Sequence, residues 1–397
     1  MKVLAVCQFY YPENFVITNI LEQLVKEGHD VTVITGKPNY GYNKIIEEYK
    51  NIKYEEINGV KVHRVNLYPR HYSRLSIIRN YLSYWRNAKR FVRKHKSMKF
   101  DVVFSMSLSP VTILAPANLY KKIHHVPHLV YCVDLWPEST IVTHAVKKNS
   151  LVYKILYKWS KSLYQKADKV LISSPSFESY FKNVLNINCP IEVCYQPSLI
   201  EDHENTEIVK FKEGFNIVYC GNIGNIQWIE NIPEVMSLVK NKNVYFHIIG
   251  MGQNSDLLQE NIKKYHVEDN CIYYGMKIAK VASTYLLGAD ALFVPLKNEG
   301  YVGQTIPNKL NFYMTFKKPI IGVIKGDGEK IIKSIEGNYV CSFDVNEVAN
   351  KIDEISKMNK KDLDIIGEKN YQYYLSNFSL KICSNTIISS LKELINK

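Results

Sequence analysis

Two turns in the second half of the chain carry residue types that can hold an anion. The apolar run Phe215-Asn216-Ile217-Val218-Tyr219-Cys220 empties into Gly221-Asn222-Ile223-Gly224, and a helical pattern opens at Gln227. Further on, Gly303-Gln304-Thr305-Ile306-Pro307-Asn308-Lys309 opens another helix. Glycine lets the backbone approach a ligand closely, and a helix start has N–H groups without intrahelical partners. Such donors suit a diphosphate. Gly221, Asn222, Gly224, Gln304, Thr305 and Pro307 are candidate binding residues on this ground, although residues 221–224 alone also read as an ordinary tight turn. Gly250-Met251-Gly252 and Tyr274-Gly275-Met276 follow two more strand-like runs. In a parallel sheet these strand ends share one edge. A nucleotide can lie across them, passing Gly250, with its base near Met276 and its phosphates near Gly221 and Thr305.

Charged side chains sharpen this reading. Lys309 lies just inside the helix that Pro307 starts, where a cation opposes the helix dipole by roughly 0.3–1 kcal/mol. A bound phosphate reverses that sign; a solvated surface lysine is the plainer alternative. In the first half, Val130-Tyr131-Cys132-Val133 runs into Asp134-Leu135-Trp136-Pro137-Glu138-Ser139. An acid at a strand's carboxyl end points into the crevice where ligands bind. Asp134 is the candidate base or orienting group for a hydroxyl, with turn formation or helix capping as the alternative. Glu138 is a second acid at this turn. Trp136 either stacks on a sugar ring or fills the wall. The turn Tyr10-Tyr11-Pro12-Glu13-Asn14-Phe15 opens on the same edge, and there Glu13 either caps a helix or contacts the ligand beside Asn14.

Alternating short elements must position these groups. Strands are expected near 2–8, 30–35, 59–66, 101–105, 128–133, 169–173 and 191–195. Helices over 14–26, 77–96, 110–123, 150–166 and 175–184 separate them. Residues 40–56 read as an irregular loop. The polar stretch 197–214 holds Glu201, Asp202, His203, Glu204 and Asn205 together and reads as a boundary. The alternation then restarts, with strands near 215–220, 243–249, 271–275, 290–295, 319–323 and 338–342, and ends in helices. This is α/β architecture: two Rossmann-like, doubly wound parallel-sheet domains whose switch points face a central cleft. The divisions are residues 1–200, 201–378 and a closing helix over 379–397.

A chain of 397 residues fits two domains. Its net charge of +13 favours an acidic partner such as an anionic membrane, a nucleic acid or a phosphorylated substrate. The eight cysteines form no C-x-x-C pair and read as small buried hydrophobes, not as a zinc set or disulfide framework. No secretory leader is expected from the opening Met1-Lys2 and the strand that follows. Residues 102–120 carry no charge, but Ser105, Ser107, Ser109, Pro110, Pro116 and Asn118 interrupt them. A strand, turn and helix fit better there than a membrane span.

These residues resemble glycosyltransferase family 4, the retaining transferases of GT-B fold. The likeness is carried by Tyr10-Tyr11-Pro12-Glu13, residues 28–40, Asp134 to Ser139, residues 221–224, the Gly-x-Gly after Ile249, and residues 307–320. The subgroup it looks most like adds sugars such as N-acetyl-fucosamine in O-antigen and capsule assembly. The resemblance implies a nucleotide-sugar donor, commonly UDP-linked, in the second domain. It implies a lipid-linked saccharide acceptor in the first, no metal or other cofactor, and a last helix crossing back to the first domain. There are departures. Many members use two glutamates near the donor; here Phe312 stands at the second position, leaving Glu299, Asp327 or Glu329 to replace it. Met251 stands where an acid is frequent, Asn14-Phe15 replace Gly-Gly, and Val133-Asp134 occupy the place of a histidine.

Residues 70–99 hold ten Lys/Arg and no acid, with Leu75, Ile78, Leu82, Trp85 and Phe91 interleaved. A basic amphipathic helix suits an anionic bilayer surface; the plainer alternative is a helix with its apolar side in the core and a solvated basic face, and nucleic-acid binding lacks a supporting module. The expectation is a cytoplasmic, peripherally bound enzyme that transfers sugar from a nucleotide diphosphate to a polyprenyl-diphosphate-linked saccharide. The alternatives are an epimerase of the same fold or a non-catalytic subunit of a polysaccharide complex.

Overall fold

The computed structural model describes residues 1–71, 73–142, 144–199 and 207–397. The chain divides into two compact units, Met1–Pro197 with Leu380–Lys397, and Ser198–Ser379. The division expected at 200/201 falls outside the described residues.

In the first unit the strands are β1 (Lys2–Val6), β2 (Asp30–Gly36), β3 (Tyr54–Ile57), β4 (Val60–Val65), β5 (Val102–Ser107), β6 (His128–Cys132), β7 (Lys169–Ile172) and β8 (Ile191–Val193). They form one sheet in the order β3-β4-β2-β1-β5-β6-β7-β8, parallel except for β3 against β4. The helices include α1 (Ile17–Lys26), α2 (Arg74–Lys94), α3 (Leu114–His124), α4 (Glu138–Val142) and α5 (Leu151–Tyr164). Strands such as β5 and β6 are buried along their whole length, which is why they are apolar without alternation.

The second unit contains β9 (Phe215–Cys220), β10 (Val244–Ile249), β11 (Cys271–Tyr273), β12 (Ala291–Leu296), β13 (Ile320–Ile324) and β14 (Tyr339–Cys341). Their order is β11-β10-β9-β12-β13-β14, and every pairing is parallel. The direction of winding reverses between β9 and β12, so the loops after these strands diverge and leave a crevice. In the first unit the same reversal falls between β1 and β5.

Three local expectations change. Residues 40–56 are not wholly irregular, because Tyr54–Ile57 pairs antiparallel with β4; its half-exposed edge position hid it. The helix expected from residue 14 begins only at Ile17, with no acid in its first turn, so Glu13 does not cap it. No helix begins at Gln227 either: a short 3-10 turn, Ile229–Asn231, precedes the helix Ile232–Leu238.

The C-terminal helix Leu380–Ile395 belongs to the first unit. Its Cys383, Ile387, Leu391 and Leu394 are buried with Val3, Ala5, Leu21 and Leu24. Lys169 ties it further, with Nζ at 2.7 Å from both Glu192 and Glu393.

Candidate active site

In the second unit the predicted glycines converge at the carboxyl edge of the sheet. Gly221 and Gly250 sit at φ +151° and +140°, a region that L side chains rarely adopt. A Cβ on Gly250 would lie 1.8 Å from the Gly221 carbonyl oxygen, and one on Gly221 would lie 2.5 Å from Lys309 Nζ. Gly250 therefore needs glycine for space as well as for backbone angle, whereas at Gly221 the backbone angle is the main requirement and a Cβ would displace the Lys309 ammonium. Gly250 N donates to the carbonyl of Gly275, which brings Met276 alongside, 72% exposed.

The turn 221–224 offers fewer open main-chain donors than its sequence suggests. Gly221 N donates to Ile249 O at 2.9 Å and Ile223 N to Met251 O at 3.2 Å. Gly224 N donates to Gln227 Oε1 at 3.0 Å, and Asn222 Nδ2 reaches the same oxygen. The N–H groups of Gly303, Gln304 and Thr305 likewise turn back onto carbonyls of Glu299, Tyr301 and Val302. The expectation of a cradle of free amides is corrected: the turn's geometry uses most of them internally.

What stands at this turn is a cation. Lys309 lies in the first turn of the helix Asn308–Met314, for which Pro307 is the N-cap. It is half-buried, not a solvated surface residue. Its Nζ rests 3.6 Å from the centre of the Tyr219 ring. Among the described residues it has no carboxylate or hydrogen-bond partner, and burial pushes its pKa down to about 7. Desolvation without a counter-charge explains the shift; an anion bound beside it would restore the charge. Tyr219 was missed in the sequence because a strand tyrosine gives no signal there. Tyr313 was missed too; its hydroxyl accepts from Cys220 N at 2.6 Å and donates to Cys220 O at 2.9 Å, bracing the end of β9. Gln304 and Pro307 lie against another strand end: a Cβ on Gly326 would meet Gln304 O at 2.5 Å, and one on Gly328 would meet Pro307 at 3.3 Å. Of the acids left to replace Phe312, Glu329 is held by Lys325 and Lys333. Asp327 is buried beside Lys330. Glu299 is exposed and has no ion-pair partner among the described residues.

In the first unit Asp134 follows β6 at the carboxyl edge. Burial raises its pKa to about 6, while hydrogen bonds from Ser139 and the Leu135 N–H pull it down. It thus both shapes its turn and sits in the range of a general base. Three neighbours are taken up by the fold, which for Trp136 is the wall-filling alternative of its two expected roles. Trp136 is 7% exposed and packs edge-on to Trp159 at 6.3 Å, so it fills the wall and offers no face to a sugar. Glu138 is buried and takes hydrogen bonds from Tyr153 at 2.5 Å and Tyr180 at 3.2 Å. Glu13 is buried, and its Oε1 accepts from the N–H groups of Asn39 at 2.7 Å and Tyr40 at 2.6 Å. It fastens the loop after β2 to the loop after β1. Asn14 is exposed beside it.

The basic segment also differs in detail. The face that α2 buries is Ser76, Asn80, Tyr84, Ala88 and Val92. Leu75, Ile78 and Leu82 are exposed instead. Arg74, Arg79, Arg86, Lys89, Arg90, Arg93 and Lys94 have no acidic partner among the described residues. Trp85 meets Trp159 of α5 at 5.8 Å, and α5 exposes Leu151, Val152 and Ile155. Among the described residues no helix is long and apolar enough to cross a membrane. No group of three or more His, Cys, Asp or Glu that could hold a metal ion is present among them either.

Two parallel-sheet α/β units with crevices at their carboxyl edges define the GT-B type of nucleotide-sugar enzyme, and comparison with known proteins agrees. The family described as "Glycosyl transferase 4-like domain" matches residues 14–190, and "Glycosyl transferases group 1" matches residues 201–373. The chain belongs to glycosyltransferase family 4. It is 28% identical over 320 residues to a probable glycosyltransferase, WbjE, of Pseudomonas aeruginosa, covering 75% of this chain and 77% of that protein. Its fold is similar to sucrose-phosphate synthase of Thermosynechococcus elongatus, with TM-score 0.70 and 13% identity over 100% and 99% of the two chains. It is also similar to Anabaena HepE in complex with UDP, with TM-score 0.69 and 11% identity over 99% and 100%.

Proposed function

We propose that this glycosyltransferase moves a sugar, with retention of configuration, from a UDP-linked donor to a polyprenyl-diphosphate-linked saccharide during O-antigen or capsule synthesis. The observation that carries the donor reading is Lys309: an ammonium without a counter-charge, seated on Tyr219 against Gly221, beside the reversal point between β9 and β12. A diphosphate supplies the missing charge. As the bond to the sugar breaks, negative charge grows on the departing diphosphate, and a fixed cation stabilises that state more than the ground state. Asp134 takes the proton from the acceptor hydroxyl. No metal enters this scheme, because Lys309 and the remaining amides meet the charge.

Support for the donor comes from HepE, whose structure holds UDP. Support for a cell-surface product comes from WbjE, together with the fold likeness to WaaG, a glycosyltransferase involved in lipopolysaccharide biosynthesis. Unpaired cations on α2 and exposed aliphatic residues on α2 and α5 favour peripheral attachment to an anionic cytoplasmic leaflet.

The test is product formation from UDP-sugars and a lipid-linked saccharide, with thermal stabilisation by UDP as the binding readout. Transfer that falls at least 100-fold in Lys309→Met and in Asp134→Asn supports the reading. Unaltered rates reject those roles. Donor turnover without acceptor indicates an epimerase, and no nucleotide-dependent stabilisation indicates a non-catalytic subunit.

A further inference from the structure

Two arginines close to β4 are used in opposite ways. Arg64 has no exposed side-chain surface and pairs with Glu55. It also donates to the carbonyls of Tyr11 at 2.6 Å and Gly36 at 3.4 Å. Its role is to hold loops together. Arg70 has no acidic partner among the described residues. Its guanidinium lies over the rings of Tyr40 at 4.9 Å and Tyr81 at 5.6 Å. Nη1 donates to Tyr81 Oη at 2.9 Å, which leaves most of the five N–H donors of the fork unengaged.

The cage around Arg70 is built from several strand ends. Its own N–H donates to Asn39 Oδ1 at 2.9 Å, and Asn80 Nδ2 reaches the same oxygen at 3.0 Å. Tyr40 is packed by Phe9 at 5.1 Å and Phe15 at 5.2 Å, and its N–H is bound by Glu13. The loops after β1, β2 and β4 therefore meet at one guanidinium on the carboxyl edge of the sheet. Asp134, after β6, lies on the same edge and is near enough to raise the pKa of the Tyr81 hydroxyl; burial is the main cause of that rise, and Arg70 opposes it. A guanidinium already held between two rings loses little freedom on meeting an anion.

The surroundings indicate which anion. Arg70 bonds the Tyr81 hydroxyl, which also feels the charge of Asp134, the candidate base, and it precedes by a few residues the helix α2, whose Leu75, Ile78 and Leu82 are exposed. In a lipid-linked saccharide the phosphate stands between the reacting sugar and the hydrocarbon chain. We propose that Arg70 binds the phosphate that joins the acceptor saccharide to its lipid, and so selects phosphate-linked acceptors. This rests on the lipid-linked acceptor proposed above.

The probe is farnesyl diphosphate, titrated calorimetrically into the full chain saturated with UDP, with farnesol and inorganic pyrophosphate as separate arms. Arg70→Met should weaken farnesyl diphosphate binding roughly 10- to 100-fold, as for the loss of charge-assisted hydrogen bonds, and leave UDP binding unchanged. Arg70→Lys, which keeps the charge and loses the fork, should lie between. Arg70-dependent binding of pyrophosphate alone supports phosphate recognition without the lipid. Equal binding of farnesyl diphosphate by wild type and by both variants overturns the inference, as does equal binding of farnesol and farnesyl diphosphate. Failure of UDP to bind rejects the donor reading instead. If Arg70→Met does not fold, Arg70→Lys decides alone: an undiminished affinity overturns the proposal.

Discussion

At the scale of single residues, the chemistry divides between groups with partners and groups without. Glu138 and Arg64 are charged by type, yet each is engaged by hydrogen bonds within the fold; Glu13 fastens two loops through Oε1, while its buried Oε2 has no hydrogen-bond partner among the described residues. Lys309, Arg70 and Glu299 have no oppositely charged partner among the described residues. The free enzyme should therefore show a bell-shaped dependence of kcat/KM on pH. Activity should rise as Asp134 ionises near pH 6 and fall as unliganded Lys309 loses its proton near pH 7. Asp134→Asn should abolish the rising limb, and Lys309→Arg should move the falling limb upward beyond pH 8. Lys309 also has a signed effect on stability. Its folded-state pKa lies below the unfolded value of 10.5, so stability is greatest above that value. It declines as pH falls toward about 7 and is level below. Urea titrations of wild type and Lys309→Met from pH 7 to 10 should differ in that slope. Gly221→Ala adds a Cβ at a positive φ and against Lys309 Nζ. It should lower UDP affinity at least tenfold in a calorimetric titration and cost roughly 1 kcal/mol or more of stability.

At the scale of elements, α2 and α5 show why a helix is not understood from its own periodicity alone. The basic and apolar residues of 70–99 were evident in the sequence. Which apolar residues face the core was not, because the sheet accepts Tyr84, Ala88 and Val92 and leaves Leu75, Ile78 and Leu82 outside. Charge reversal of Arg79, Arg86 and Arg90 to Glu should abolish sedimentation with vesicles containing 30% phosphatidylserine, because each basic side chain near such a surface contributes about 1 kcal/mol. Wild-type binding should fall as salt rises. Retention of vesicle binding by the triple variant would exclude α2 as the docking element.

At the scale of the whole molecule, the order of strands matters more than their identity. In the second unit the sheet order sets β9 beside β12, which places Gly221 at the crevice although Lys309 follows it by almost ninety positions. The C-terminal helix returns to the first unit and completes its core. Ile387→Ala should cost that unit about 2–5 kcal/mol, seen as an earlier transition in calorimetric melting. Removal of residues 380–397 should render the first unit insoluble by exposing the apolar surface around Val3, Leu21 and Leu24.

The sequence by itself determined the α/β class, most strands to within a residue or two, the glycine turns and the acid after β6. Local physics governs all of these: buried parallel strands must be continuously apolar, and positive φ calls for glycine. Only the tertiary structure decided which polar groups remain available. Whether Lys309 has a counter-charge, whether Glu13 serves a ligand or a loop, and whether Arg70 is enclosed by rings depend on residues brought together from distant strands, and a hydrogen bond between such residues leaves no trace in the spacing of either.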